Sequence, residues 1–141
     1  MRARAAGAAA LALATVLGGC GGGEGKGSDA DQVTAAATTF AHAFGTGDGK
    51  KACSLLTPGA QDAFVKRVSS LVGTNDCAQA IVKLQAVAGP NVTGPLQDAK
   101  ASNPRVNGDH ATVALTAAGG TEQVQLEKRD GDWLLTRAPG T

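Results

Sequence analysis

Two hydrophobic periods divide the chain. From Ala30 to Ala88 apolar residues return every three or four positions, the spacing of helices, whereas from Leu96 onward they return every second position, the spacing of strands. The first helical stripe is Val33, Ala37, Phe40 and Phe44, preceded by Asp29 and Asp31, whose charges complement the positive end of a helix dipole. Gly45, Gly47 and Gly49 end it. Asp48 is placed to cap a short second helix through Lys50, Cys53 and Leu56, and Thr57 followed by Pro58 starts a third, the threonine as cap and the proline in the first turn. The third stripe is Phe64, Val68, Leu71 and Val72. After Gly73, the run Thr74, Asn75, Asp76 caps a fourth helix with Cys77, Ile81, Leu84 and Ala88 on its inner face, stopped by Gly89 and Pro90. Asn91 to Pro95 reads as a turn-rich crossing.

The second half alternates. Ala111, Val113 and Leu115 share one face of a strand, Val124 and Leu126 share the matching face of another, and Trp133 and Leu135 alternate with Leu134 and Thr136 on a last one. Turns at Asn107-Gly108-Asp109, Ala118-Gly119-Gly120 and Asp130-Gly131-Asp132 separate four strands into an antiparallel meander. The predicted fold class is α+β, with N-terminal helices packed on a curved four-stranded antiparallel sheet. Asp130 and Asp132 flank one glycine, too few oxygen ligands for a calcium loop, so they read as a hairpin turn.

Ahead of the domain lies a different pattern. Met1 to Arg4 is short and basic, and Ala5 to Leu17 is apolar but too short to span a bilayer as a permanent helix. Leu17, Gly18, Gly19, Cys20 follows it and reads as a lipobox. In this the N-terminus resembles bacterial lipoproteins, and the resemblance implies cleavage before Cys20, a diacylglycerol thioether on its sulfur, acyl chains such as palmitate, and retention on the extracytoplasmic face of the cell membrane. Gly21 to Asp29 (GGGEGKGSD) has the composition of a flexible tether. The expected organisation is a signal peptide over 1–19, a lipidated cysteine and linker over 20–29, and one globular domain over 30–141. Gly21 in place of aspartate leaves no inner-membrane retention signal, so an outer membrane is an open destination if the source has two membranes. Gly25-Lys26-Gly27-Ser28 is not a phosphate loop, because no Ser or Thr directly follows the lysine and no strand precedes it.

With Cys20 assigned to lipid, Cys53 and Cys77 remain as an even pair in an exported chain, where thiols oxidise. One disulfide between them is predicted, joining the second and fourth helices. A metal or redox pair is the competing reading, but no CxxC and no neighbouring histidine accompany the two. Charge adds little. The 13 basic residues fall to 11 once Arg2 and Arg4 leave with the signal, against 12 acidic ones, which excludes a nucleic-acid footprint.

Helices followed by a meander that closes on Asp130-Gly131-Asp132-Trp133 resemble the nuclear transport factor 2-like superfamily, which includes the SnoaL-type cyclases. The residues that carry the resemblance are Phe40, Ala43 and Phe44 on the opening helix, the Gly47-Asp48 step, the junction Leu55 to Pro58 and the strand pair from Val124 to Leu135. It covers residues 30 to 137 and implies a cone with a pocket at its wide end; a cystatin-like domain is the nearest alternative architecture. Candidate pocket residues are Phe40, Phe44, Phe64, Leu84, His110 and Trp133. The enzymes of the superfamily place Asp, His, Tyr or Arg in the pocket, yet this chain has no tyrosine and two histidines. His42 lies opposite the first helical stripe, and His110 lies on the strand face opposite Val113. Only an offset by a bulge would turn His110 inward, near Asp98, Lys100 or Arg105. The expected function is therefore a non-enzymatic module of the cell envelope, binding a small apolar ligand or docking onto an envelope protein, with no cofactor and no metal. The alternative is a SnoaL-like enzyme acting on a small apolar substrate at the membrane surface.

Overall fold

The computed structural model describes residues 27–140. The signal, the lipobox with Cys20 and the first part of the tether lie outside the described residues. Five helices precede four strands: α1 (Asp29–Thr46), α2 (Gly49–Ser54), α3 (Pro58–Val72), α4 (Cys77–Ala88), α5 (Pro90–Gln97), β1 (Lys100–Asn107), β2 (His110–Ala117), β3 (Gly120–Arg129) and β4 (Asp132–Leu135). The α+β class is as expected, with the helices packed on one antiparallel sheet in the order β1-β2-β3-β4.

The helix ends follow local chemistry. Ser28 accepts from the Asp31 backbone N–H while the Asp31 carboxylate accepts from the Ser28 N–H, a reciprocal capping box that fixes where α1 starts. Asp48, Thr57 and Asp76 each accept a backbone N–H three residues on, which starts α2, α3 and α4. Gly47 ends α1 in the left-handed region at φ 79°.

Helix α1 is the centre of the molecule. It contacts α2, α4, α5, β1, β2 and β4. Val33, Ala37 and Phe40 are buried as the stripe predicts, and Ala36, Ala41 and Ala43 are buried as well because other helices close on flanks that carry only methyl groups. Two glycines permit that closeness. A Cβ on Gly45 would stand 2.8 Å from the Thr93 carbonyl oxygen of α5, and one on Gly49 would collide with the Ala78 carbonyl of α4. Gly49 thereby lets α2 and α4 approach, and the Cys53–Cys77 disulfide joins them there with Cα atoms 6.2 Å apart. That bond is the one predicted.

Three expectations need correction. Asn91 to Pro95 is not a turn-rich crossing but the middle of α5, which Pro90 opens in the first turn; burying Thr93 against α1 outweighs the weak propensity of Gly94 and Pro95. Leu71 leaves the core and is 60% exposed, because α3 buries Ala60, Phe64, Val68 and Val72 at a strict spacing of four, which rotates Leu71 outward. Asp98 lies on no strand; it is the C-cap of α5.

In the sheet, Ala111, Val113, Leu115, Val124, Leu126, Trp133 and Leu135 face the helices and are buried. Both edges are protected from further pairing. Strand β1 carries a register shift between Ser102 and Arg105, where Pro104 removes a donor and Asn103 takes φ 52°. At β4, the segment around Leu56 pairs alongside, with Thr57 N–H donating to the Leu135 carbonyl and Leu135 N–H to the Leu55 carbonyl.

Candidate functional site

The main cleft opens at the C-terminal end of α1 and has a volume of about 660 Å³. Its walls come from four helices and the β2–β3 hairpin. Phe44 of α1 meets Phe64 of α3 edge to face, ring centroids 6.0 Å apart, while Phe40 stacks behind Phe44 at 5.8 Å and stays 3% exposed. Val68 continues the α3 wall, Leu84 supplies the α4 wall, and Val92 with Leu96 the α5 wall. Leu115 forms the sheet side. From there the hairpin runs through Ala117, Ala118, Gly119 and Gly120, side chains too short to reach the opposite helices.

Charge is confined to the rim. Arg67 sits between Phe64 and Val68 on α3, one helical step off the buried stripe, and is an exposed residue that lines the cleft. Glu122 stands across the opening. Its carboxylate accepts from the Arg137 guanidinium at 3.1 Å and from the Gly140 backbone N–H at 2.8 Å, which straps the C-terminal segment against the rim beside Pro139. Apart from Arg67, the side chains of the helical walls are hydrocarbon, and among the described residues no buried side-chain nitrogen or oxygen lacks a partner.

The candidate pocket residues separate into two groups. Phe44, Phe64 and Leu84 line the cleft, with Phe40 immediately behind it. His110 does not join them: it is exposed at the start of β2, opposite Asn107 and Glu127, and shares a shallow groove of about 260 Å³ with Arg105, Thr112, Gln125 and Thr136 on the outer face of the sheet. The bulge falls in β1 and leaves the alternation of β2 unbroken, which is why His110 stays outside. Lys100 pairs opposite Thr116 at the other end of β1. His42 is exposed on α1, its Nδ1 3.4 Å from the Gln97 carbonyl oxygen.

Trp133 belongs to the opposite end of α1. It is 3% exposed, and its Nε1–H donates to Asp29 Oδ1 at 3.1 Å. The same carboxylate oxygen takes the Lys128 ammonium at 2.8 Å, and that ammonium stands 5.7 Å from the indole centroid. The hydrogen bond from Lys128, with that from Trp133 second, holds the Asp29 carboxyl below the usual carboxylate range. Asp29 and Phe44 are about 22 Å apart along the helix axis at 1.5 Å rise per residue, so this cluster is remote from the cleft.

Arg67, which the sequence offers only as half of the basic pair Lys66-Arg67 on a solvated face, was not among the candidate site residues, and neither were Glu122 and the strapped C-terminal segment. The only available signal was an arginine between two stripe residues of α3, which is also how an ordinary solvated position reads. Among the described residues no group of His, Cys, Asp or Glu is arranged to hold a metal ion, and no helix is long and apolar enough to cross a membrane. No family model, curated protein or solved structure matches the chain.

Proposed function

We propose that the chain is a lipid-anchored lipoprotein of the extracytoplasmic face of the cell membrane, and that its domain is a nuclear transport factor 2-like cone that binds a small apolar ligand without transforming it. The observation that carries the binding part is the cleft: about 660 Å³, inside the range of roughly 300–1,000 Å³ typical of small-molecule sites, lined by two phenyl rings and aliphatic side chains. The non-enzymatic part is supported by what faces it. Neither histidine lines the cleft, and the one carboxylate at its rim, Glu122, is engaged by Arg137 and Gly140. General acid–base work needs a titratable group within hydrogen-bond reach of the reacting atom, and the apolar walls supply none.

The lipid anchor rests on the lipobox and the glycine-rich tether alone. Two acyl chains suffice for stable membrane retention where one does not. The test of the ligand reading is fluorescence of N-phenylnaphthylamine, a neutral dye that brightens in apolar surroundings, titrated with the full chain. Saturable binding that Leu84→Trp abolishes is the expected result; an unchanged titration curve in that variant would remove the cleft as the site. For the anchor, wild-type protein in the membrane fraction should carry the added mass of a diacylglyceryl group, and membrane-bound protein without that mass would overturn it.

A further inference from the structure

The cleft is asymmetric in polarity, and the asymmetry selects a ligand. Its walls are hydrocarbon from α1, α3, α4, α5 and Leu115, and its polar side chains, Arg67, Thr121 and Glu122, all belong to the rim. Two of the three are already engaged. The Thr121 hydroxyl lies 2.9 Å from that of Thr116, and Glu122 is held by Arg137 and the Gly140 N–H. Arg67 alone has no hydrogen-bond or ion-pair partner among the described residues. Arg67 is an exposed cation at the edge of an apolar opening, and a guanidinium presents a planar fork that matches a carboxylate with two parallel hydrogen bonds.

We propose that the ligand is a long-chain monocarboxylate, a fatty acid or a close analogue, with its chain against Phe44, Phe64 and Leu84 and its carboxylate on Arg67. This rests on reading the cleft as a ligand site and names the chemistry of the occupant. Apart from Arg67, the side chains of the helical walls carry no donor or acceptor, which favours an amphiphile with its polarity at one end. The volume is more than four times the roughly 150 Å³ that admits a benzene molecule. A head with a single negative charge matches the one guanidinium at the rim that has no partner among the described residues.

The test is displacement of N-phenylnaphthylamine from the full chain, synthesised cell-free under oxidising conditions with Cys20→Ser so that no acyl group of its own competes. Dodecanoate, dodecanol and dodecyl phosphate are compared as competitors. Dodecanoate is expected to displace the dye up to about fivefold more effectively than dodecanol, the fold-change of an exposed ion pair. Arg67→Gln, at an exposed position that leaves the core intact, should erase that advantage while dye and dodecanol bind as before. No saturable dye binding would remove the ligand site and this inference with it. Dye binding with no preference for dodecanoate, or a preference that survives Arg67→Gln, would overturn the carboxylate assignment and leave the apolar site standing. Tighter binding of dodecyl phosphate than of dodecanoate would overturn the single-charge match.

Discussion

At its Asp29 end α1 closes over a buried indole with a carboxylate, and at its Phe44 end it borders an apolar cleft. At the Asp29 end an indole is driven into the core, and its N–H, which would lose hydration there, is met by a carboxylate that also binds Lys128. The indole's polar and apolar parts are both satisfied, and the groove beside it, of about 560 Å³, has Asp31, Gln32, Lys51, Ser54 and Asp132 among its lining rather than a wall of hydrocarbon. At the Phe44 end Phe44, Phe64 and Leu84 meet a hairpin made of Ala117, Ala118, Gly119 and Gly120, which has no side chain long enough to fill the gap. The charge at that rim is divided unequally, Glu122 engaged and Arg67 without a partner among the described residues. The same helix thus ends once in a completed polar cluster and once in an incomplete apolar one, and the incomplete one is where a ligand gains most from entering.

The largest effect expected is on the brace that holds one cleft wall. Replacing Cys53 and Cys77 together by alanine opens a loop of 24 residues in sequence separation and should lower stability by about 3.5 kcal/mol on the chain-entropy account, read as a fall in the urea midpoint. Because α4 carries Leu84, dye affinity should drop in the same variant; retention of full stability would show that helix packing alone fixes α4.

An intermediate effect separates the two ends. Trp133→Phe removes the indole hydrogen bond and weakens the Lys128 contact, with an expected loss of about 1–2 kcal/mol and no change in dye binding. Leu84→Trp should do the reverse, blocking the dye while shifting stability by less than about 1 kcal/mol. If both variants move both readouts, the ends are coupled and the contrast fails.

The smallest effect is that of pH at the Asp29 end. The carboxyl of Asp29 titrates below its ordinary range, so its contribution to stability is present above the unfolded value of about 4 and lost as pH falls through the lower folded value. Wild type and Asp29→Asn should therefore differ in urea midpoint near neutrality and converge in acid below about pH 4. A gap that persists unchanged in acid would assign the difference to packing rather than to charge.

Much of the fold was legible because it is written in local chemistry. The caps at Asp48, Thr57 and Asp76, the four strands, their turns and the disulfide partners all follow from short-range signals: oxygen-bearing caps, period-two alternation, glycine turns and cysteine parity. Helix α5 was missed for a physical reason. Gly94 and Pro95 are local breakers, and only the approach of α1, permitted by the missing side chain of Gly45, stabilises the turn they occupy. Leu71 failed differently, since a leucine at the edge of a stripe reads as core until the exact rotation of α3 is known. Of the candidate pocket, the aromatic and aliphatic walls were foreseeable from their stripes, whereas Trp133 and His110 were placed by strand register and strand face.

By itself the amino-acid sequence determined the α+β class, the order of helices before strands, the cysteine pair, and which side chains are apolar enough to be buried. Each of these depends on residues within a few positions of one another or on composition alone. Only the tertiary structure decided that the two ends of α1 differ, that Glu122 is bound while Arg67 has no partner among the described residues, and that a cleft opens between Phe44 and the hairpin. Those outcomes depend on distances between residues far apart in the chain, such as Asp29 with Lys128 and Phe44 with Leu115, which no local pattern records.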